Sequence, residues 1–218
     1  MQGQPTIDKI HIQLRQQIVD RLIPPGTKLS ETQLSKRWKV SRTPIREVLR
    51  RLESEGLVSS TPFRGCMVNS MSIKDVDHIY KIKVSLEGLA GRLATPIVAR
   101  DPEKLRVIRN LAQEMEICSK KMDVKGYSEK NLQFHISIWD WCGNPWLTRI
   151  LNNLSSQLNR FIVTALHVPN RMERSAKEHR KVLEAFESGN PKAAEKALGT
   201  HFKKASEDLI RELIKKSE

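Results

Sequence analysis

The chain has 218 residues, enough for one or two domains with their own cores. Charged residues make up 29% and aromatics only 5%, and no 18-residue apolar run occurs, which excludes a membrane-spanning helix and suits a helical, soluble protein. The formal net charge of +13 favours polyanionic partners. Residues 1–70 hold 12 basic and six acidic side chains, a net +6, while the rest of the chain carries +7 over about twice the length. Cys66, Cys118 and Cys142 form no CxxC pair and cannot all pair with one another. With no apolar stretch of signal-peptide length in "MQGQPTIDKI", they point to a reducing, cytoplasmic location.

Ile7, Ile10, Leu14, Ile18 and Leu22 recur at helical spacing, and "IPPGTKL" stops that helix with Pro24, Pro25 and Gly26. A second helix starts after Ser30, a plausible N-cap, with Leu34 and Trp38 on one face. A third follows in "SRTPIREVLRRLESEGLV", residues 41–58, where Ile45, Val48, Leu49 and Leu52 form one stripe and Gly56 ends it. "LVSSTPFRGCMV" then reads as a two-stranded hairpin around a Pro-Phe-Arg-Gly turn. Three helices and a hairpin make a winged helix-turn-helix.

From Ser72 the pattern changes to long helices. Val76, Ile79, Leu86, Leu89, Leu93 and Ile97 share one stripe, and Leu105, Ile108, Leu111, Met115 and Met122 another. Further helices are predicted over 127–142, 146–168, 171–188 and 191–215, with breaks at Gly126, "GNPW", "VPN" and "SGNP". The connections are short, so neighbours pack antiparallel as a bundle. The fold class is mostly α, with a boundary near 68–73: a winged helix-turn-helix over 1–70 and a helical bundle over 71–218.

Once the stripe of the third helix faces inward, Arg42, Arg46 and Arg50 line up on the opposite side at i, i+4 and i+8. Ser41 or Thr43 can cap this helix, and Pro44 in its first turn costs no intrahelical hydrogen bond. The N-terminal residues of such a helix reach base edges in the major groove. Arg42 stands there, and its fork matches the two acceptors of guanine. Thr43 suits a phosphate or a thymine methyl, and Arg46 and Arg50, further along, suit phosphates. Arg64 and Gly65 mark the hairpin tip. The alternative is a solvated face with its arginines paired to Glu47, Glu53 and Glu55.

In the second half three histidines fall on inward faces of three helices. His135 aligns with Leu132, Ile136 and Trp139, His179 with Val182, Leu183 and Phe186, and His201 with Ala197, Leu198 and Ala205. One inward histidine is ordinarily a hydrogen-bonded core residue. Three from separate helices can build a metal site, for which neutral imidazole is a favoured ligand.

The run PG-x-x-L-x-E, SRTP-x-RE, RLE-x-EGLV and RG-x-x-V resembles the winged helix-turn-helix of GntR-type bacterial transcription regulators. Residues 72–215 resemble the FCD domain that follows it in one subgroup. The resemblance implies operator contacts from Arg42, Thr43 and Arg46 and a wing tip at Arg64-Gly65. It also implies a homodimer on palindromic DNA and a small carboxylate effector that alters the spacing of two winged helices. It further implies a divalent ion, zinc or nickel, held by His135, His179, His201 and the residue four before the first. That residue is Asn131 where the family has Asp, and a neutral amide oxygen attracts a cation less than a carboxylate does. Lys83 stands where the family commonly has the arginine near the effector's carboxylate. It keeps the charge and loses the bidentate fork. Thr32 replaces an arginine that touches the operator in some relatives.

The leading expectation is a ligand-responsive transcription regulator, a repressor, and not an enzyme. A three-histidine metal hydrolase needs a general base near the metal. Only Asp140 and Glu178 are candidates, neither on the apolar stripe. A non-specific architectural DNA binder leaves the polar core of the second half without a purpose.

Overall fold

The computed structural model describes residues 6–20, 22–61, 65–69 and 71–215, and at 61, 159, 160 and 162–164 the backbone alone. The chain divides into two compact units, Met1–Met71 and Ser72–Glu218.

In the first unit α1 (Ile7–Val19) starts at Thr6, whose hydroxyl accepts from Lys9 N. After the Pro-Pro-Gly turn, where Gly26 has φ 80°, comes a strand absent from the expected hairpin: β1 (Lys28–Leu29). Helix α2 (Glu31–Trp38) is capped by Ser30 and ends on Lys39 in the left-handed conformation. Helix α3 (Arg42–Ser54) follows an extended Ser41 whose side chain makes no capping bond, with Pro44 in its first turn. The wing strands are β2 (Val58–Thr61) and β3 (Gly65–Val68). β3 is central and antiparallel to both others, with Lys28 opposite Met67 and Leu29 opposite Cys66. The sheet thus has three strands. Two residues are too short a run to announce a strand by alternation.

Ile10, Leu14, Ile18, Leu34, Ile45, Val48, Leu52 and Val68 are all buried in one core. Arg51 fixes the outside of this packing, donating to Asp8 of α1 (2.8 Å) and to Glu47 (3.0 Å).

The second unit comprises α4 (Ile73–Val98), α5 (Pro102–Lys121), α6 (Val124–Trp141), α7 (Pro145–Leu166), α8 (Arg171–Glu187) and α9 (Pro191–Lys215). Ser72 and Asp75 close a capping box on α4, and Asp101 caps α5 ahead of Pro102. The break expected at Gly126 falls earlier, at Met122 and Asp123. Met122 is left-handed, and the Asp123 carboxylate accepts from Gly126 N at 2.9 Å, inside the first turn of α6. No helix among the described residues is long and apolar enough to cross a membrane.

Helix α4 does not bury the stripe its sequence suggests. Ile79, Leu86, Leu89 and Leu93 are half-buried and Ile97 is exposed, while the buried face carries Val76, Tyr80, Lys83, Glu87, Gly88, Gly91 and Thr95. The two glycines explain the choice of face. A Cβ on Gly88 would lie 3.2 Å from the Glu195 carbonyl oxygen, and one on Gly91 would run into Leu198 Cδ1. Helix α9 therefore lies close against the small-residue side of α4. The same side brings Lys83 and Glu87 inward.

Candidate DNA-reading helix and candidate metal centre

Helix α3 buries Ile45, Val48, Leu49 and Leu52 and exposes Arg42, Thr43, Arg46 and Arg50. Arg42, Thr43 and Arg50 make no hydrogen bond or ion pair among the described residues. Arg46 differs: its Nε lies 2.9 and 3.0 Å from the two carboxylate oxygens of Glu31 on α2. The local pairs considered for this face are also only partly made. Glu47 holds Arg51, Glu53 accepts from Ser60 N at 2.6 Å, and Glu55 engages His11 and Arg15 of α1. Gly65 is exposed with φ 81°, a conformation that costs glycine no strain. Arg64 lies outside the described residues.

In the second unit α6, α8 and α9 bring His135, His179 and His201 together, all buried, with one ring nitrogen of each within 4.8 Å of the others. The Nε2 atoms of His179 and His135 are 3.2 Å apart. Each ring is oriented from behind. His179 Nδ1 donates to the Ser175 carbonyl oxygen at 2.7 Å, one turn earlier on α8. His201 Nδ1 donates to Glu178 Oε2 at 2.8 Å. His135 Nδ1 is buried with no hydrogen-bond partner among the described residues, and Glu87 Oε2 lies 3.8 Å from it. Phe134 meets the His179 ring edge-on at 4.8 Å, and the Phe202 ring lies 4.8 Å from that of His135, which closes the apolar surround.

Burial disfavours the charged form of all three imidazoles. It pushes His135 and His179 well below their usual value of 6.5, and the neighbouring histidines add to the push. His201 is also lowered by burial, against the opposing pull of Glu178. Glu178 behaves in the opposite way. Burial alone would raise it, but hydrogen bonds from His201 and from Arg171 (3.0 Å) hold it down at about 2. Three neutral nitrogens facing one another, with an unpartnered nitrogen beside them, fit the donor set of a divalent ion such as zinc or nickel. Asn131 sits half-buried one turn before His135 on α6.

Next to His135 lies a charge pair that periodicity does not reveal. Lys83 and Glu87, one turn apart on α4, are both buried and form an ion pair. Lys83 also donates to Ser155 Oγ at 2.8 Å, and its ammonium lies 4.7 Å from the Trp139 ring centre and 4.6 Å from that of Phe202. Glu87 accepts from Trp139 Nε1 at 2.9 Å. Burial pushes Lys83 down and Glu87 up, and each partner resists the other's shift. Lys83 is thus fully inside with its charge already matched. Glu178 is inside as well, with its carboxylate bound to Arg171 and His201, while Asp140 is exposed. The signal that could have found Glu87 is the pair of glycines that follows: they mark the face against which α9 packs.

Residues 78–204 match the FCD domain, and residues 6–68 match the bacterial regulatory proteins of the gntR family. YdhC of Bacillus subtilis strain 168, an uncharacterized HTH-type transcriptional regulator, is 33% identical over 90% of this chain and 88% of its own length. The HTH-type transcriptional repressor RspR of Escherichia coli K12 is 29% identical over 94% of this chain and 90% of its own length. Among solved structures, Escherichia coli McbR/YncC shares the fold, with a TM-score of 0.76 at 21% identity over 94% of this chain and 97% of that one.

Proposed function

We propose that this chain, which belongs to the gntR family of bacterial regulatory proteins and carries an FCD domain, is a repressor released by a small carboxylate metabolite. The family's members are DNA-binding transcription regulators and not enzymes, and this chain is one of them. The observation that carries the reading is the free polar edge at the start of α3, where Arg42 and Thr43 stand exposed and unpaired over a buried apolar stripe. Arg42 reads a base edge, and Thr43 a base or a phosphate. Arg50 grips phosphate, and Arg46 does so after leaving Glu31. Gly65 and Arg64 bring the wing tip to the backbone or minor groove. As a homodimer the protein binds a palindrome with half-sites roughly one DNA turn apart.

In the helical unit His135, His179 and His201 hold one zinc or nickel ion, with the Asn131 amide oxygen as a fourth, neutral ligand. The ion supplies a positive seat for the effector's carboxylate. Lys83 adds to that seat only by sharing its charge with Glu87, so an incoming carboxylate competes with an internal one.

Selection of duplexes from a random pool tests the DNA reading: a palindrome emerges, and Arg42→Ala stops discriminating it from random DNA. Metal analysis of protein prepared without chelators tests the second part. The expected result is one divalent ion per chain, absent from His179→Ala. Metal-free protein with an unchanged effector response would refute it.

A further inference from the structure

In the first unit β1 and the wing frame a trough beside α3. Its walls include Lys28, Arg46, Arg50, Ser60 and Gly65, and it encloses about 650 Å³. Both sides are fixed. Lys28 and Leu29 pair with Met67 and Cys66 of β3, and Glu53 of α3 accepts from Ser60 N of β2 at 2.6 Å. Successive side chains of a strand point to opposite faces, and Leu29 is buried in the core, so Lys28 faces out. A Cβ at position 65 would lie 3.2 Å from Lys28 Cε, so the stem of the lysine runs along the bare backbone of Gly65. This places its ammonium beside the start of β3. Lys28 makes no hydrogen bond or ion pair among the described residues. The two carboxylates that line the trough are both engaged elsewhere, Glu31 by Arg46 and Glu53 by the Ser60 amide. Lys28 and Arg50 remain as its uncompensated charges.

In the DNA reading above, on which this inference rests, α3 enters the major groove and the wing tip reaches the backbone or the adjoining minor groove. One DNA strand separates those two grooves. It has to cross the space between α3 and the wing, and that space is this trough. We propose that Lys28 is a phosphate-binding residue of the operator complex, held by β1 against the strand that runs between the grooves. Its ammonium lies on the wing side of that strand, while Arg50 lies on the helix side, so the two grip the same stretch of backbone. A contact of this kind fixes the register and orientation of the protein and carries no base information. The pairing of β1 with β3 is what brings the cation there: without it Lys28 would belong to the loop that follows α1.

The test is a salt titration of the full chain on the selected palindrome and on a random duplex of equal length. Lys28→Met keeps the stem along Gly65 and removes the charge. It is expected to weaken binding to both duplexes by a similar factor and to leave their ratio unchanged. The slope of log binding constant against log salt should become shallower by about 0.9 per subunit. Lys28→Arg should restore it. A wild-type slope in Lys28→Met overturns the contact. A changed ratio between the two duplexes overturns the phosphate assignment, because the residue would then be reading bases. Weaker binding at an unchanged slope, not repaired by Lys28→Arg, assigns Lys28 to packing at the wing and also overturns the proposal. Wild-type protein that prefers no palindrome overturns the DNA reading, and Lys28 with it. Discrimination lost in Arg42→Ala beside an unaffected Lys28→Met overturns the role of Lys28 alone.

Discussion

The two units handle charge in opposite ways. In the first, no polar or charged side chain is buried among the described residues, and Ile10, Leu14, Ile45 and Leu52 fill an ordinary apolar core beneath an arginine-rich outer face. In the second, twelve polar or charged side chains are buried among the described residues, including Lys83, Glu87, Arg171, Glu178 and three histidines. The difference separates two ways of recognising a partner. DNA is met from outside, so its contacts stay solvated, and the fold beneath needs only to be firm. The buried charges of the second unit are desolvated and held by one another at a cost in stability, which suits the small ligand proposed above.

Breaking one member of an internal pair should have the largest effect. Glu87→Ala or Lys83→Met is expected to lower the unfolding free energy of the second unit by about 3–5 kcal/mol, because one buried charge is left alone. Lys83→Met/Glu87→Leu should recover most of it, as denaturant titration would show; equal losses in single and double variants would mean the pair is not coupled. Next comes the outside. Arg42→Ala is expected to cost about 1–3 kcal/mol of operator affinity with the fold unchanged, read by binding to operator and random duplexes.

Acid should expose the same contrast within one protein. The buried imidazoles have folded pKa values below 6.5, so below pH 6.5 an unfolded chain takes up protons that the folded one refuses. The stability of the metal-free second unit, full above that pH, should fall as pH drops from 6.5 toward the folded values. The slope is about 1.4 kcal/mol per pH unit for each histidine that stays neutral. Thermal unfolding in chelator between pH 5 and 7.5 measures it, and a flat profile would contradict the burial argument. The smallest effect belongs to an exposed pair. Glu31→Gln should change stability by less than about 1 kcal/mol. It frees Arg46, so it should tighten operator and random DNA alike, as a salt titration would reveal.

What the sequence made legible follows the same divide. Helix α3 could be read because its apolar stripe, its Thr-Pro start and its outward arginines obey one period. The three histidines could be read because each lies among apolar neighbours on a single face. Glu178 could not, and Glu87 only through the glycines that follow it, since a charged residue at helical spacing reads as surface until a partner from another helix is known. His201 lies 23 residues from Glu178, and Trp139 lies 52 from Glu87. The grip of Glu31 on Arg46 crosses 15 residues, and strand β1 exists only because β3 lies beside it.

The close seam of α4 and α9 also bears on how this protein can change over generations. An added Cβ at position 91 meets the Leu198 Cδ1 methyl, so a side chain there requires Leu198 to turn to another rotamer. The two residues are therefore coupled in what each tolerates. Gly91→Ala is easier in a lineage that has already shortened residue 198. A change at one of these two positions, far apart in the chain, thus bears on the other, and on the seam beside the face that carries Lys83 and Glu87 inward.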